Sequence, residues 1–135
     1  MQRTVSVVGD VKDLADLMEG ASIDAARLLP AGDYLRLELE LTRACAELAG
    51  TVRGGFLSRP KTPWTRSRLV LGWVKDVSVG RAPDVHGVHP SLLGCEAVTG
   101  GYRLTVTSHD GLQLALTLEQ LSGEFADIGA PVPAP

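Results

Sequence analysis

The stretch Tyr34-Leu35-Arg36-Leu37-Glu38-Leu39-Glu40-Leu41-Thr42-Arg43, residues 34–43, decides the fold class. Leu35, Leu37, Leu39 and Leu41 alternate with Arg36, Glu38, Glu40 and Thr42. Successive side chains of a strand point to opposite faces. A strict period of two therefore predicts a strand with one core face and one wet face. On a helix the same residues would scatter leucine and charge around the whole circumference, leaving nothing to bury.

Upstream of this strand, Pro30-Ala31-Gly32-Asp33 supplies turn chemistry, since proline pre-sets φ and glycine permits positive φ. Ser22–Leu29 reads as the preceding strand. Further back the period changes. Val11, Leu14, Ala15 and Met18 recur at i, i+3, i+4 and i+7, one apolar stripe on a helix over 11–19. Asp10 is placed as its N-cap and Gly20 as its stop. Thr4–Val8 is a short β-branched run suited to an edge strand.

Downstream, residues 44–52 fit either a strand end or a helical turn. Residues 53–68, carrying Gly54-Gly55 and the Pro60 and Pro63 punctuation, read as a long basic loop. Leu69–Val79 resumes strand character, with Leu69, Leu71, Trp73, Val77 and Val79 assigned to one face. Residues 80–91 return to loop. A meander closes the chain: Leu92–Thr99, a Gly100-Gly101 turn, Tyr102–Thr107, an Asp110-Gly111 hairpin, and Leu112–Leu118 with alternating leucines. Leu121–Ile128 adds a last short strand, and the proline-rich stretch 129–135 is expected as an extended arm. The expectation is an α+β domain, mostly β. It is an antiparallel meander of about six to eight strands, curled or rolled, with one short N-terminal helix. Residues 1–128 form one globular unit.

A chain of 135 residues holds one proper core. Aromatic residues are only 4%, so that core must be built mainly from Leu, Val and Ala. No run approaches the roughly 20 apolar residues needed to span a bilayer. The start, Met1-Gln2-Arg3-Thr4-Val5, lacks the layout of a secretory signal. Cys45 and Cys95 are far apart in a domain large enough to fold without a disulfide, so reduced thiols in a cytoplasmic protein are expected.

The net charge of −3 is unevenly spread. Between Glu47 and Asp76 there is no acidic residue, while Arg53, Arg59, Lys61, Arg66, Arg68 and Lys75 contribute six positive charges, leaving −3 − 6 = −9 on the remainder. With Trp64 interleaved, Arg53, Arg59, Lys61, Arg66 and Arg68 are the candidate contact residues. They suit plain solvation of a long loop, or docking on an acidic surface of a partner or a second copy. They also suit an anion or single-stranded nucleic acid, although a pI near 5.5 opposes a long polyanion.

Other constellations are weaker. Asp84-Val85-His86-Gly87-Val88-His89-Pro90 brings two imidazoles close in sequence, with Cys95 nearby, which makes a metal-dependent enzyme the third reading. Gly87 and Pro90 oppose a helix, and extended chain sets His86 and His89 about 10 Å apart on opposite faces. No recognised zinc spacing is reproduced. Ser108-His109-Asp110 cannot be a hydrolase triad, because adjacent side chains diverge where a triad needs them in line. Glu38 and Glu40 share a strand face about 7 Å apart, within glycosidase-like spacing, but charge on the wet face of a strand keeps a sheet soluble. Gly54-Gly55 lacks the rest of a phosphate cradle. No cofactor is implied and no catalytic residue is assigned.

The strand pattern resembles that of small uncharacterised β-rich domains, among them proposed immunity proteins that neutralise contact toxins. The resembling residues are Ile23-Asp24-Ala25-Ala26-Arg27-Leu28 before a turn, Leu35–Leu41 after it, Leu69-Val70-Leu71-Gly72-Trp73-Val74, and the hairpin Tyr102–Leu118. It covers about two-thirds of the chain, excluding the basic interval and the proline-rich tail. The resemblance implies a binding protein without catalysis, and no residue role comes with it. The leading reading is a non-catalytic protein–protein interaction domain that self-associates as a homodimer, with no membrane partner.

Overall fold

The computed structural model describes residues 2–19, 21–44, 63–81, 93–108 and 111–132, with 129–132 as backbone alone. Among these residues eight strands and one helix follow in the order β1 (Gln2–Val5), α1 (Val8–Leu17), β2 (Ser22–Ala31), β3 (Tyr34–Ala44), β4 (Trp64–Arg81), β5 (Leu93–Val98), β6 (Gly101–Thr107), β7 (Leu112–Leu118) and β8 (Gly123–Val132). All pairings are antiparallel. The mostly β architecture with one short N-terminal helix is the one the periodicities predict.

β4 organises the sheet. Its 18 residues outrun any single neighbour. The first half pairs with β3 on one edge and β8 on the other, from Trp64 to Leu71. At Val74, β3 contributes Leu35 and the opposite edge passes to β7 through Leu118. β8 and β7 therefore lie end to end along the same edge of β4. Residues 119–122 form the break between them, bridged by Gly72 N–H to Ser122 O (3.0 Å) and Glu119 N–H to Trp73 O (2.9 Å). β6 and β5 extend the sheet beyond β7, β1 pairs with β8, and β2 pairs with β3. Curling follows from this change of neighbour, since irregular pairing increases local twist and bends a strand.

The inner face buries Leu37, Leu39, Leu41, Leu69, Leu71, Val74, Leu104, Leu116, Leu118 and Phe125. α1 packs chiefly on β5 and contributes Val11 and Leu14 to the same core, joined by Met18 at its C-cap, each worth about 2 kcal/mol of burial. The predicted stripe is therefore correct, but the helix starts earlier. It spans Val8–Leu17, so Asp10 sits inside its first turn and reaches backwards, accepting from the amides of Ser6 (2.9 Å) and Val7 (3.1 Å). A carboxylate in that position satisfies donors just outside the helix, the returning half of a capping box.

Four sequence expectations change. Trp64–Arg68, assigned to the basic loop 53–68, are the opening residues of β4, paired on both edges. Gly129–Val132, assigned to a free arm, prolong β8. The ladder there passes from Arg66↔Ile128 to Trp64↔Val132 with two extra β8 residues, so Pro131 falls where pairing is already irregular. Trp73 does not alternate with Leu69 and Leu71. It has φ +60, the register slips beside it, and Val74 takes the buried position. Val79 belongs to the inner-facing row but is 67% exposed, because β4 has run past β3 at that point.

Candidate functional site

Five core-facing positions of β3 run Leu35, Leu37, Leu39, Leu41 and Arg43, and the fifth is an arginine with no exposed surface. Its Nη2 donates to both carboxylate oxygens of Asp127 (3.0 and 3.2 Å), and its Nε donates to Ser67 Oγ (3.1 Å). Ser67 in turn donates to Asp127 Oδ1 (2.7 Å), and the Phe125 ring lies 5.6 Å from the guanidinium carbon. Burial pushes the Asp127 carboxyl up, but hydrogen bonds from Ser67 and Arg43 outweigh it and hold the group below the ordinary aspartate range. This polar cluster ties β3, β4 and β8 together inside the sheet.

The outer face of the same three strands is different. Trp64, Arg66, Arg68, Val70 and Gly72 follow one another along β4, flanked by Thr42, Glu40 and Glu38 of β3 and by Ile128, Ala126 and Glu124 of β8. Glu40 accepts from Arg68 (2.9 Å) and lies 3.5 Å from Arg66. The Arg68 hydrogen bond, the nearby charges of Arg27 and Arg66, and Arg68 itself hold the Glu40 carboxyl below its ordinary range. Three arginines therefore converge on one carboxylate. Arg66 remains 61% and Arg68 46% exposed at the side chain. Glu38 is engaged by Arg36 at 3.2 Å.

At the upper end of this strip, Trp73 turns out of the sheet. A bulky residue at positive φ is a conformational outlier that persists only when its surroundings hold it. Here Tyr34 packs on the indole, with ring centroids 5.1 Å apart at 54°, and the Tyr34 hydroxyl donates to Glu119 on the break between β7 and β8. That hydrogen bond is the main reason the Tyr34 phenol is held above its ordinary range. Gly72 beside it has, apart from its chain neighbours, no atom within 4 Å of where a Cβ would stand. The result is a groove of about 740 Å³ over β4 and β8, bordered by Arg68, Val70, Trp73, Glu124, Ala126 and Ile128.

The candidates named from sequence divide accordingly. Trp64, Arg66 and Arg68 share the outer face of β4, as strand residues with a carboxylate between their charges. Arg53, Arg59 and Lys61 lie outside the described residues, as do His86 and His89. Cys95 is a half-buried thiol on β5, held above the ordinary cysteine range by burial and by Glu96. No cluster of three or more His, Cys, Asp or Glu suited to a metal occurs among the described residues. Ser108 belongs to the β6–β7 hairpin, donating its amide to Leu112 O at 2.8 Å. Trp73 and Ile128 were missed as site residues. The available signal was Val74, which breaks the alternation immediately after Leu69, Leu71 and Trp73.

No protein family, curated protein or solved structure matches this chain. No helix among the described residues is long and apolar enough to cross a membrane.

Proposed function

We propose that this chain is a non-catalytic protein-interaction domain whose contact surface is the outer face of β3, β4 and β8. The carrying observation is the groove beside Trp73, where a 38% exposed tryptophan, a 40% exposed Ile128 and Arg68 border one depression. Tryptophan and arginine dominate the energetics of protein contacts, because they offer large area with a directional polar end. The resemblance to proposed immunity domains supports the same reading of binding without catalysis. Self-association is part of it. Arg66 and Arg68 on β4 lie one strand away from Glu124 on β8, so a two-fold related copy can set one sign against the other.

Nucleic acid gains less support from the same geometry. A continuous polyphosphate laid along Arg66 and Arg68 would also meet Glu38, Glu40 and Glu124. The test is light scattering on the eluting protein at about 50 mM and 500 mM salt, screening lengths that differ by roughly threefold. A dimer at low salt that weakens at high salt, and is lost in Ile128→Glu, is the expected result. A monomer at both salts overturns self-association.

A further inference from the structure

The outer strip carries enough order to specify the chemistry of a partner, an inference that rests on this face being the contact surface. Side chains on one strand face recur about every 6.6 Å. Going down β4 from the groove, the face reads Gly72 with Trp73, then Val70, Arg68 and Arg66. Gly72 is bare, an added Cβ there meets nothing beyond its chain neighbours, and Gly72 and Trp73 line the same groove, so apolar volume is open beside the indole. Trp73 is held at φ +60 by Tyr34 and by the Glu119 N–H···O bond, an arrangement that spends conformational energy to point an aromatic ring out of the sheet. Below it, Arg27, Arg66 and Arg68 surround Glu40, a surplus of positive charge at that point. Arg27 makes no ion pair among the described residues. A guanidinium offers five N–H donors, so Arg68 retains donors after its bond to Glu40.

We propose that the strip from Trp73 to Arg66 binds an extended acidic segment of a partner protein. One apolar side chain of that segment sits over Gly72 against Trp73. Two carboxylates, four and six residues away, meet Arg68 and Arg66. Discrete carboxylates fit this face better than a polyanion, because the residue of the segment over Val70, level with Glu38 and Glu124, carries no charge. The indole supplies the apolar anchor, and the arginines set direction and register.

The full chain is titrated with a fluorophore-labelled peptide Leu-Gly-Ser-Gly-Glu-Gly-Glu, with the same peptide carrying Lys for Glu, and with an eight-nucleotide thymidine oligomer, reading polarisation at about 50 mM and 300 mM salt. The acidic peptide is expected to bind at low salt and to weaken severalfold at high salt. Arg66→Glu/Arg68→Glu weakens it roughly tenfold and transfers preference to the lysine peptide, each reversed contact turning a modest attraction into repulsion. Trp73→Gly, which suits the positive φ, weakens it at least tenfold with the fold retained by circular dichroism. Gly72→Ala, whose methyl meets nothing beyond its chain neighbours, weakens it by narrowing the groove. No binding at low salt, equal binding of the lysine peptide, indifference to all three variants, or tighter binding of the oligonucleotide overturns the proposal. A dimer by light scattering that ignores the peptide also overturns it while leaving the interaction-domain reading in place.

Discussion

Replacing Arg43 by Met keeps most of the side-chain volume and removes the charge. The hydrogen bonds to Asp127 and to Ser67 go with it. Asp127 is left as a carboxylate with only 11% of its side chain exposed, too little for water to rehydrate it fully. Removing one partner of a buried pair costs about 3–5 kcal/mol, mostly the desolvation of the charge left behind. The slight exposure of Asp127 places Arg43→Met at the lower end, about 3 kcal/mol. Against a total of roughly 5–15 kcal/mol that is a large share. With a urea slope of about 2 kcal/mol/M the midpoint falls by about 1.5 M. Asp127→Asn removes the carboxylate charge facing Arg43 instead and costs about the same, while retaining an acceptor for Ser67. The double variant has no stranded charge, so it costs no more than either single change, a coupling of about 3 kcal/mol. The pH dependence has a definite sign. The folded Asp127 pKa lies below the unfolded one, so its contribution is complete above the unfolded value near 3.9 and is lost as pH falls through the folded value. Urea denaturation at pH 7 and between pH 5 and 2 measures both. A single-variant cost under 1 kcal/mol, or strict additivity in the double, refutes the claim that this pair is a buried charge held by its partner.

Other expectations follow from particular contacts. A Cβ on Gly123 would stand 2.1 Å from Val70 O, so Gly123→Ala costs about 3 kcal/mol or more by urea denaturation, whereas Gly72→Ala shifts stability by less than about 0.5 kcal/mol. Leu104→Ala empties a fully buried site between β5 and β7 and lowers stability by about 2–5 kcal/mol in the same assay. The Asp10 carboxyl, receiving the Ser6 and Val7 amides, titrates below the ordinary aspartate range in a pH series of NMR spectra, and those two amide signals move with the same midpoint. A midpoint at or above the ordinary range contradicts the backward cap.

Several of these features were legible before any coordinates. Alternation in β3 and in Leu112–Leu118 is a local consequence of pleating, so strand and face could be read from spacing alone. The same parity places Arg43 in the leucine row, which already demands a buried counter-charge. What no spacing could name is Asp127, 84 residues away, because pairing of β3, β4 and β8 is fixed by long-range registry. The basic interval shows the opposite case. Its arginines read as a solvated loop because prolines and glycines precede them, yet Arg66 and Arg68 are strand residues. Their one-sided charge is answered by Glu40 on the neighbouring strand, and sequence composition cannot see across a ladder.

Sequence by itself determined most of the strands, the N-terminal helix and most of their apolar faces, since those depend on side-chain period within a few residues. Tertiary structure decided that β7 and β8 share one edge of β4, that Trp73 is turned outward at their junction, and which carboxylate each arginine meets. Those outcomes depend on which segments become neighbours, a matter of packing and hydrogen-bond registry between residues distant in the chain.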